Sequence, residues 1–244
     1  MGVVVTITSG KGGTGKTSIT GGIAASLALM GRRVLCIDMD IGLRNLDISL
    51  GLSDRALMDF SDVALGRCPL ARAAVDHPEL KGLSLLTAPM SLPANVTPDK
   101  IRVLLDTART MYDYILIDSP AGLGAGFRLS ICGADRVLVI ATNDASSLRD
   151  AQRTVEELDG IRQVHLIMNR IQTKLLRRLR ATIDDAMNTA GLPLLGVVPE
   201  DAQVMLCANL GQPLTSRGKR GAALACWNIA LRLEGHRVPI MRIR

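Results

Sequence analysis

A phosphate-binding loop motif near the amino terminus constrains this sequence more than any other feature. Residues 9–17 read Ser-Gly-Lys-Gly-Gly-Thr-Gly-Lys-Thr, and the loop pattern is matched by Gly10, Gly15, Lys16 and Thr17. The glycines let the backbone curl with its N–H groups directed at a phosphate. In such a loop Lys16 reaches the β- and γ-phosphates, and the Thr17 hydroxyl binds Mg²⁺. The alternative is a glycine-rich turn without a ligand.

The flanking segments favour phosphate binding. Val3–Thr8 is short, β-branched and apolar, as in a parallel strand buried on both faces. Apolar residues then recur at helical spacing up to Gly31, and the N-terminus of such a helix adds partial positive charge to the loop. Lys11 is unusual, because the loop itself needs one lysine only. Its side chain is either solvated or aimed at phosphates, including those bound by a second subunit.

Alternating strand and helix patterns fill the rest of the chain. Strands are predicted at residues 33–38, 83–88, 114–118, 136–141, 164–168 and 194–198. Helices are predicted at residues 98–111, 147–159, 175–190 and 218–234. This order predicts a three-layer α/β/α fold of the P-loop NTPase kind, with a mostly parallel central sheet. We expect one domain over residues 1–235 and a short basic tail at residues 236–244.

Aspartates follow two of the predicted strands, at the edge where parallel sheets bind ligands. Asp38 and Asp40 come at the end of the second strand, and Asp118 closes the apolar run at residues 114–117. An aspartate after four apolar strand residues is typical of a Walker B position, whose carboxylate orients water ligands of Mg²⁺ behind Thr17. Taken alone, Asp118 is also compatible with a helix cap.

Composition and cysteine placement exclude several classes of protein. The 244 residues are 48% hydrophobic, which suffices for one sizeable domain. The five cysteines are scattered without a Cys-x-x-Cys pair, which favours reduced thiols over disulfides or zinc. The sequence has no signal-peptide pattern and no apolar run of about 18 residues, so we expect a protein that is neither secreted nor membrane-spanning.

The net charge of +6 is concentrated at the carboxyl end. Residues 217–244 hold seven Lys or Arg residues and one Glu, so the rest of the chain is neutral as a whole. Such an end either meets an anionic surface of lipid or nucleic acid or forms a solvated face. A second basic cluster would lie on one helix: Arg170, Lys174, Arg177 and Arg178.

Several motifs together carry a resemblance to a known family. They are residues 10–17 with the extra Lys11, the run 38–47 (Asp-Met-Asp-Ile-Gly-Leu-Arg-Asn-Leu-Asp), residues 118–122 (Asp-Ser-Pro-Ala-Gly), residues 168–170 (Met-Asn-Arg) and residues 198–201 (Val-Pro-Glu-Asp). The sequence resembles the deviant-Walker P-loop ATPases of the MinD/ParA family over nearly the whole chain. The run 38–47 is the most specific motif, and it is closer to the MinD type than to the ParA partition ATPases.

The resemblance implies a role for each matching residue. Lys11 would reach across a dimer, Lys16 would bind phosphate, and Asp40 would orient the attacking water. Thr17, Asp38 and Asp118 would act around Mg²⁺. ATP would be bound by Gly10, Lys11, Gly12, Gly13, Thr14, Gly15, Lys16, Thr17 and Ser18 at its phosphates, and by Asn169, Arg170, Pro199, Glu200 and Asp201 around the adenine.

The implied function is an ATP-dependent dimerisation switch that hydrolyses ATP to position the cell-division site. Its cofactors would be ATP and Mg²⁺. Its partners would be a second copy of the chain and the division-inhibitor and ATPase-activator proteins of the Min system. Those proteins would bind near the helix that starts around Ser147, where Asp150 is either a contact or an ordinary first-turn acid. We expect a cytoplasmic protein, at most peripheral at the inner face of the cell membrane.

The carboxyl end departs from the pattern of the MinD type, whose members usually end in a separate amphipathic membrane-binding helix. Here residues 222–234 read as a core helix that Gly235 ends. The five residues beyond Pro239 are too few for a helix, which needs about 12–15 residues to be marginally stable. We expect weak, salt-sensitive, ATP-dependent membrane association at most, with direct membrane binding weak or absent.

Two other functions stay open. A ParA-like partition or cargo-positioning ATPase would bind DNA non-specifically through the second basic cluster, with an affinity that falls steeply with salt. An iron–sulfur reductase of the nitrogenase iron-protein type shares the loop but needs two cysteines per subunit for its cluster. Cys132 lies in the suitable half of the chain, and no second cysteine lies near Asp118, which disfavours the reductase.

Overall fold

One sheet of eight strands runs through the computed structural model, which describes residues 1–53 and 55–241. The strands are β1 Val3–Thr8, β2 Val34–Asp38, β3 Val75–Asp76, β4 Leu83–Leu86, β5 Tyr114–Asp118, β6 Arg136–Ala141, β7 Gln163–Ile171 and β8 Leu194–Pro199. Their order is β3-β4-β2-β5-β1-β6-β7-β8, and each neighbouring pair is parallel except β3 with β4. The predicted, mostly parallel sheet is confirmed.

Helices cover both faces of this sheet, which confirms the predicted three-layer α/β/α fold. Within the described residues they are α1 Lys16–Leu29, α2 Asn45–Leu50, α3 Phe60–Ala64, α4 Leu70–Ala73, α5 Pro98–Met111, α6 Ala125–Ile131, α7 Ala145–Glu156, α8 Thr173–Leu179, α9 Ile183–Ala190, α10 Ala202–Asn209 and α11 Gly221–Leu233. A 3₁₀ turn at Leu214–Arg217 precedes α11.

The core has two layers because successive strand residues point to opposite faces of the sheet. Val5 of β1 is buried in a cluster with Ile23 of α1 and Ile229 of α11. Its neighbour Val4 belongs to a second cluster, which includes Leu104 of α5. Strands that are apolar at every position are therefore buried on both faces, as their sequences predict.

The helix predicted at residues 175–190 is wrong. Two helices, α8 and α9, occupy this region, because Arg180 adopts a left-handed backbone with φ of 51° and ends α8. Thr182 then starts α9 with a capping box, in which its hydroxyl accepts from the backbone N–H of Asp185. The predicted single basic helix face is wrong too, since Arg170 lies in β7 and is paired with Glu200.

The described part of the basic tail, residues 236–241, lies against the domain. The Arg232 guanidinium donates to the carbonyl of Val238 at 3.0 Å and to that of Pro239 at 2.7 Å, and Met241 packs against the core. Residues 242–244, with two of the predicted basic side chains, lie outside the described residues. The domain boundary at residue 235 stays a prediction. No helix in the described ranges combines the length and apolarity needed to span a bilayer.

Candidate functional site

The phosphate-loop motif connects the carboxyl end of β1 to α1, as predicted. Lys16 is the first residue of α1, so the N–H groups of the first helical turn face the loop. Gly13 and Gly15 have φ values of 77° and 91°, in the left-handed region that favours glycine. A Cβ at Gly15 would also collide with Asn169 Nδ2. The local sequence therefore fixes the curled backbone that phosphate binding requires.

Lys16 lies folded into the loop and is only 8% exposed. Its Nζ donates to Ser9 Oγ at 3.0 Å and to the Lys11 carbonyl at 3.4 Å. Burial lowers the pKa of Lys16, and the nearby Asp118 and Asp40 oppose that shift. A phosphate is a much stronger acceptor than a hydroxyl or a carbonyl, so this ammonium is placed to bind one.

Two buried carboxylates meet at the carboxyl edge of the sheet. Asp38 ends β2 and Asp118 ends β5, and the two are paired in the parallel register. Both are 1% exposed. Burial raises the pKa of Asp38 to about 6, and burial together with the charge of Asp38 raises that of Asp118 to about 7. The pair is unfavourable when ionised, which makes it suitable for a cation.

The oxygen atoms at this edge fit Mg²⁺. Asp118 Oδ2 is buried and accepts no hydrogen bond from a described residue, and Thr17 interacts with the same carboxyl group. The Asp38 oxygens accept from the backbone N–H groups of Asp40 and Leu46 at 2.8 and 3.1 Å, which fixes their direction. The described residues contain no group of three or more His, Cys, Asp or Glu that could hold a metal. Mg²⁺ needs few protein ligands, because it keeps waters and binds substrate phosphates.

A cavity of about 540 Å³ opens beside the loop, on the side of β8. Eight of the residues expected around the nucleotide line it, among them Gly13, Gly15, Ser18, Asn169, Arg170 and Glu200. Asn169 is buried and donates from Nδ2 to the Thr14 carbonyl at 2.7 Å, which ties β7 to the loop. Pro199 and Asp201 line the same cavity.

Comparison with known proteins identifies the family. A model of the CobQ/CobB/MinD/ParA nucleotide binding domain matches residues 5–222. The septum site-determining protein MinD of Bacillus subtilis is 37% identical over 246 residues, which cover 98% of this chain and 92% of the relative. The chain belongs to the MinD/ParA family of nucleotide-binding ATPases.

Solved structures in this MinD/ParA family have the same fold. A chain of the MinC:MinD cell division protein complex of Aquifex aeolicus matches with a TM-score of 0.91 and 36% identity, covering 98% of this chain and 99% of that one. MinD of Pyrococcus horikoshii, complexed with Mg-ADP, matches with a TM-score of 0.84 and 27% identity, covering 96% of each chain. The predicted family and the predicted ATPase class are confirmed.

In this MinD/ParA chain, the extra lysine is paired within its own subunit. Lys11 Nζ lies 2.8 Å from Asp144 Oδ1 and 2.8 Å from Ser146 Oγ. Asp144 is the N-cap of α7. Burial opposes ionisation of Asp144, but hydrogen bonds from Lys11, Thr142 and Ser146 hold its pKa well below the usual range. Any contact of Lys11 with a second subunit therefore requires this pair to open.

Helix α7 lies directly against the phosphate loop. It begins at Ala145, two residues before the predicted start at Ser147. A Cβ on Gly10 would lie 2.5 Å from the Asp150 carbonyl, so the loop approaches α7 this closely only because residue 10 is glycine. Because the helix begins at Ala145, Asp150 lies in its second turn and not in the first, and the interpretation of Asp150 as a first-turn acid is wrong.

Sequence reasoning missed one wall of the cavity and the partner of Lys11. The missed wall is largely apolar and is formed by Ile19, Val204, Met205, Ala208, Leu214 and Ala222. The available signal for α10 was Asp201, its N-cap, which accepts from Gln203 N at 2.9 Å. The apolar residues at 204, 205 and 208 then mark the side of the helix that lines the cavity. The pairing of Lys11 with Asp144 has no local signal, since 133 residues separate the two.

The carboxylate pair predicts an unusual pH dependence. An aspartate with a pKa raised by folding stabilises the fold fully below its unfolded value, and that stability is lost as pH rises through the folded value. Without ligand, we expect the free energy of unfolding to fall between about pH 4 and pH 7, by several kcal/mol from this pair. Thermal or denaturant unfolding over this range checks it.

Saturation with Mg·ADP should flatten that slope, because a bound cation stabilises the ionised pair. The comparison uses the slope of the free energy of unfolding against pH and not its absolute value, since any ligand that binds the folded protein raises that value. Asp118→Asn is the matched variant, and it should flatten the slope without ligand. An equal slope with and without Mg·ADP would contradict the assignment of a cation to this edge.

Proposed function

We propose that this chain is a MinD-type switch, which dimerises when it binds ATP, hydrolyses the ATP and thereby positions the cell-division site. One observation carries the proposal: a buried Lys16 and the Asp38–Asp118 carboxylate pair converge on a phosphate loop that has a second, partly exposed cation, Lys11. A phosphate loop needs only one lysine to bind its nucleotide, so the second lysine supports a role across a dimer.

The loop residues are proposed to position the phosphates of ATP. Gly10 to Ser18 supply backbone N–H groups and the first turn of α1, and Lys16 neutralises charge on the β- and γ-phosphates. Phosphoryl transfer depends on positioning and charge neutralisation more than on covalent chemistry. Lys11, released from Asp144, would add its charge to the nucleotide of the second subunit, in the manner of an arginine finger.

Asp40 is proposed to orient the attacking water. It follows β2 directly, and its backbone N–H is held by Asp38 Oδ1 at 2.8 Å. Burial raises its pKa while Lys16 lowers it, so the carboxylate is tied electrostatically to the phosphate site. Thr17, Asp38 and Asp118 would hold Mg²⁺, which when bound neutralises phosphate charge as a Lewis acid.

The adenine is proposed to bind in the cavity of about 540 Å³. Asn169 and Pro199 would line one side of the base, and Arg170 and Glu200, paired at 2.8 Å, would lie at the exposed rim. Asp201 would act through the fold, because both its oxygens are engaged as acceptors, from Gln203 N and from Ala222 N. It thereby holds α10 and α11 together beside the base.

The proposed partners are a second copy of this chain and Min-system proteins. The similar chain from Aquifex aeolicus is part of a MinC:MinD cell division protein complex, which supports a division inhibitor as partner here. Helix α7 is a suitable contact, since its N-cap Asp144 holds Lys11 and its residue Asp150 touches the loop. Membrane association is proposed to be weak at most, because the described tail is held against the domain by Arg232.

The two alternative functions have less support. Arg170 forms an ion pair with Glu200. The basic cluster for non-specific DNA binding is therefore reduced to the three cations of α8, Lys174, Arg177 and Arg178. For the reductase, Cys132 is half-buried and the other four cysteines are buried. Burial also raises the pKa of the Cys132 thiol, whereas a cluster ligand must be a thiolate.

Opening of the Lys11–Asp144 pair is expected to limit dimerisation. Asp144→Asn keeps the side-chain oxygen that caps α7 but removes the charge that holds Lys11. Both side chains are partly exposed, so the pair contributes about 0.5–1 kcal/mol. We expect ATP-dependent dimers at about two- to fivefold lower protein concentration, measured by analytical ultracentrifugation. If the variant dimerised more weakly while α7 stayed intact, the idea that the Lys11–Asp144 pair within one subunit restrains dimerisation would be wrong.

A reconstituted ATPase assay tests the function itself. The chain is assayed alone and with a division inhibitor and an ATPase activator of the MinC and MinE type, in parallel with duplex DNA. We expect slow basal hydrolysis, ATP-dependent binding of the inhibitor and acceleration by the activator. Acceleration by DNA with no response to Min partners would instead support the partition ATPase, and a coloured, cluster-containing protein would support the reductase.

A further inference from the structure

A second cavity lies at the edge of the sheet opposite the nucleotide site. It has a volume of about 290 Å³ and is lined by Arg136, Gln163, His165, Leu195, Arg232, Leu233, Glu234 and Gly235. Arg136 and Gln163 are the first residues of β6 and β7, and Leu195 is the second residue of β8. Because these strands are parallel to β1, their amino ends lie at the edge opposite the phosphate loop, which follows the carboxyl end of β1.

The charge of this cavity is predominantly positive. Arg136 and Arg232 line it, and neither forms an ion pair with a described residue. Its one carboxylate, Glu234, is already neutralised, because Arg32 donates to Glu234 Oε2 from Nε at 2.8 Å and also from Nη2. Arg237 lines an adjoining cavity that shares Arg232, and it too lacks an ion-pair partner among the described residues. Two of the basic residues at the carboxyl end of the sequence, Arg232 and Arg237, thus lie at this cavity and the adjoining one.

Structural roles account for only part of these side chains. Arg232 is fully engaged, since it donates to the carbonyls of Leu195, Val238 and Pro239. Neutral carbonyls satisfy its hydrogen bonds but leave its charge uncompensated, and burial lowers its pKa. Arg136 uses a single nitrogen, Nη1, which donates to the Leu233 carbonyl at 2.8 Å.

Unused hydrogen-bonding groups line the same cavity. The other guanidinium nitrogens of Arg136 and both ring nitrogens of His165 make no hydrogen bond with a described residue. Gln163 adds an exposed amide at the rim. A guanidinium fork beside an imidazole is a suitable donor set for the oxygens of a phosphate group, and the net positive charge selects an anion.

We propose that this cavity binds a phosphate group through hydrogen bonds from Arg136 and His165, and that the positive charge of Arg232 attracts the phosphate without a direct hydrogen bond. The phosphate is either that of a small free phosphorylated molecule or that of an anionic lipid headgroup, and these two sources share the same chemistry. The site is separate from the nucleotide site and does not depend on the function proposed above.

The three histidines of the chain provide the assay, because they lie in different environments. His165 lines the cavity, His236 lines the adjoining one, and His77 is buried with both ring nitrogens engaged by backbone groups. Their ring signals are followed by NMR during a titration with inorganic phosphate. The nucleotide site is saturated with Mg·ADP beforehand, because the phosphate loop would otherwise bind the probe.

We expect a saturable shift of the His165 signals and a rise of the His165 pKa, with His77 unchanged. A phosphate favours the charged imidazolium, whereas burial and Arg136 lower the pKa of His165 in the free protein. A parallel arm uses vesicles of phosphatidylglycerol. A response to free phosphate identifies a small-molecule site, and a response to vesicles alone identifies a headgroup site.

Variants separate the site from a general effect of charge. Arg136→Gln should weaken binding by about tenfold or more, because it removes the charged donors, and Arg136→Lys should retain part of the affinity. Arg72→Gln is the matched control, since it removes the same charge at an exposed position of α4, which precedes β3 at the other end of the strand order. Unchanged thermal unfolding and ATPase activity show that each variant is folded. No His165 shift with either probe, or an equal shift in Arg136→Gln and the unmodified protein, would overturn the proposal.

Discussion

Lys16→Ala is expected to abolish ATP binding, whereas Lys11→Ala is expected to leave it nearly intact. Lys16 is buried within the loop, where its hydrogen-bond acceptors among the described residues are Ser9 Oγ and the Lys11 carbonyl. Phosphate oxygens would replace those weak acceptors, and a charge-assisted bond in a dehydrated site contributes about 3 kcal/mol, or more than 100-fold in affinity. Calorimetric titration with a non-hydrolysable ATP analogue measures this loss.

Lys11 differs because its ammonium lies at the surface, on Asp144, and not in the loop. We expect Lys11→Ala to bind the analogue within about threefold of the unmodified protein, since exposed ion pairs contribute little. The same variant should stay monomeric with ATP and should not hydrolyse it. Lys11→Arg is the charge-matched control. Equal loss of ATP binding in the Lys11 and Lys16 variants would contradict a role for Lys11 across a dimer.

The long elements of this fold could be predicted from sequence because each has a strong periodic pattern. The predicted strands at residues 114–118 and 136–141 have the observed bounds, as does the helix at residues 98–111, which Thr97 caps and Pro98 begins. Apart from Asp118 and Arg136 at their ends, these strands are apolar because both faces are buried. Their pattern therefore depends on the local sequence alone.

Short elements were missed because their stability comes from contacts distant in sequence. Helix α2 has six residues, and the Asp38 carboxylate holds its Leu46 N–H while His77 holds the carbonyl of Leu50. Neither contact has a signal within the helix. Strand β3 has two residues and exists only because it pairs with β4. Helices below about 12 residues are marginal without such tertiary support.

The candidate site divides in the same way. Residues that belong to one continuous motif, such as Gly15 and Lys16, were identified because the spacing of residue types within the motif predicts phosphate binding. The side-by-side arrangement of Asp38 and Asp118 followed from the rule that parallel strands share a carboxyl edge. The hydrogen bond from Ala222 N of α11 to Asp201 depends on how α10 and α11 pack together. No pattern of residue spacing in the sequence predicts that contact.

Asp40→Ala is expected to produce a protein that binds ATP and dimerises but hardly hydrolyses it. The backbone of Asp40 supports the turn after β2, since its N–H donates to Asp38 and its carbonyl accepts from Leu43 N and Arg44 N. Alanine preserves those bonds, so the binding site should survive. The carboxylate is absent, however, and a general base or water-orienting group contributes about 10²–10⁴-fold to the rate.

The dimer of this variant should therefore accumulate, because hydrolysis is the step that would dissolve it. Gel filtration with ATP should show a persistent dimer, and single-turnover measurements should show hydrolysis slowed by at least about 100-fold. Asp40→Asn is the isosteric control and should be slowed similarly, because the amide cannot accept the proton of the water. Lys16→Ala supplies the reference that neither binds nor dimerises. If Asp40→Ala eluted as a monomer with ATP bound, the residue would be needed to assemble the dimer, and its assignment to the hydrolytic step alone would fail.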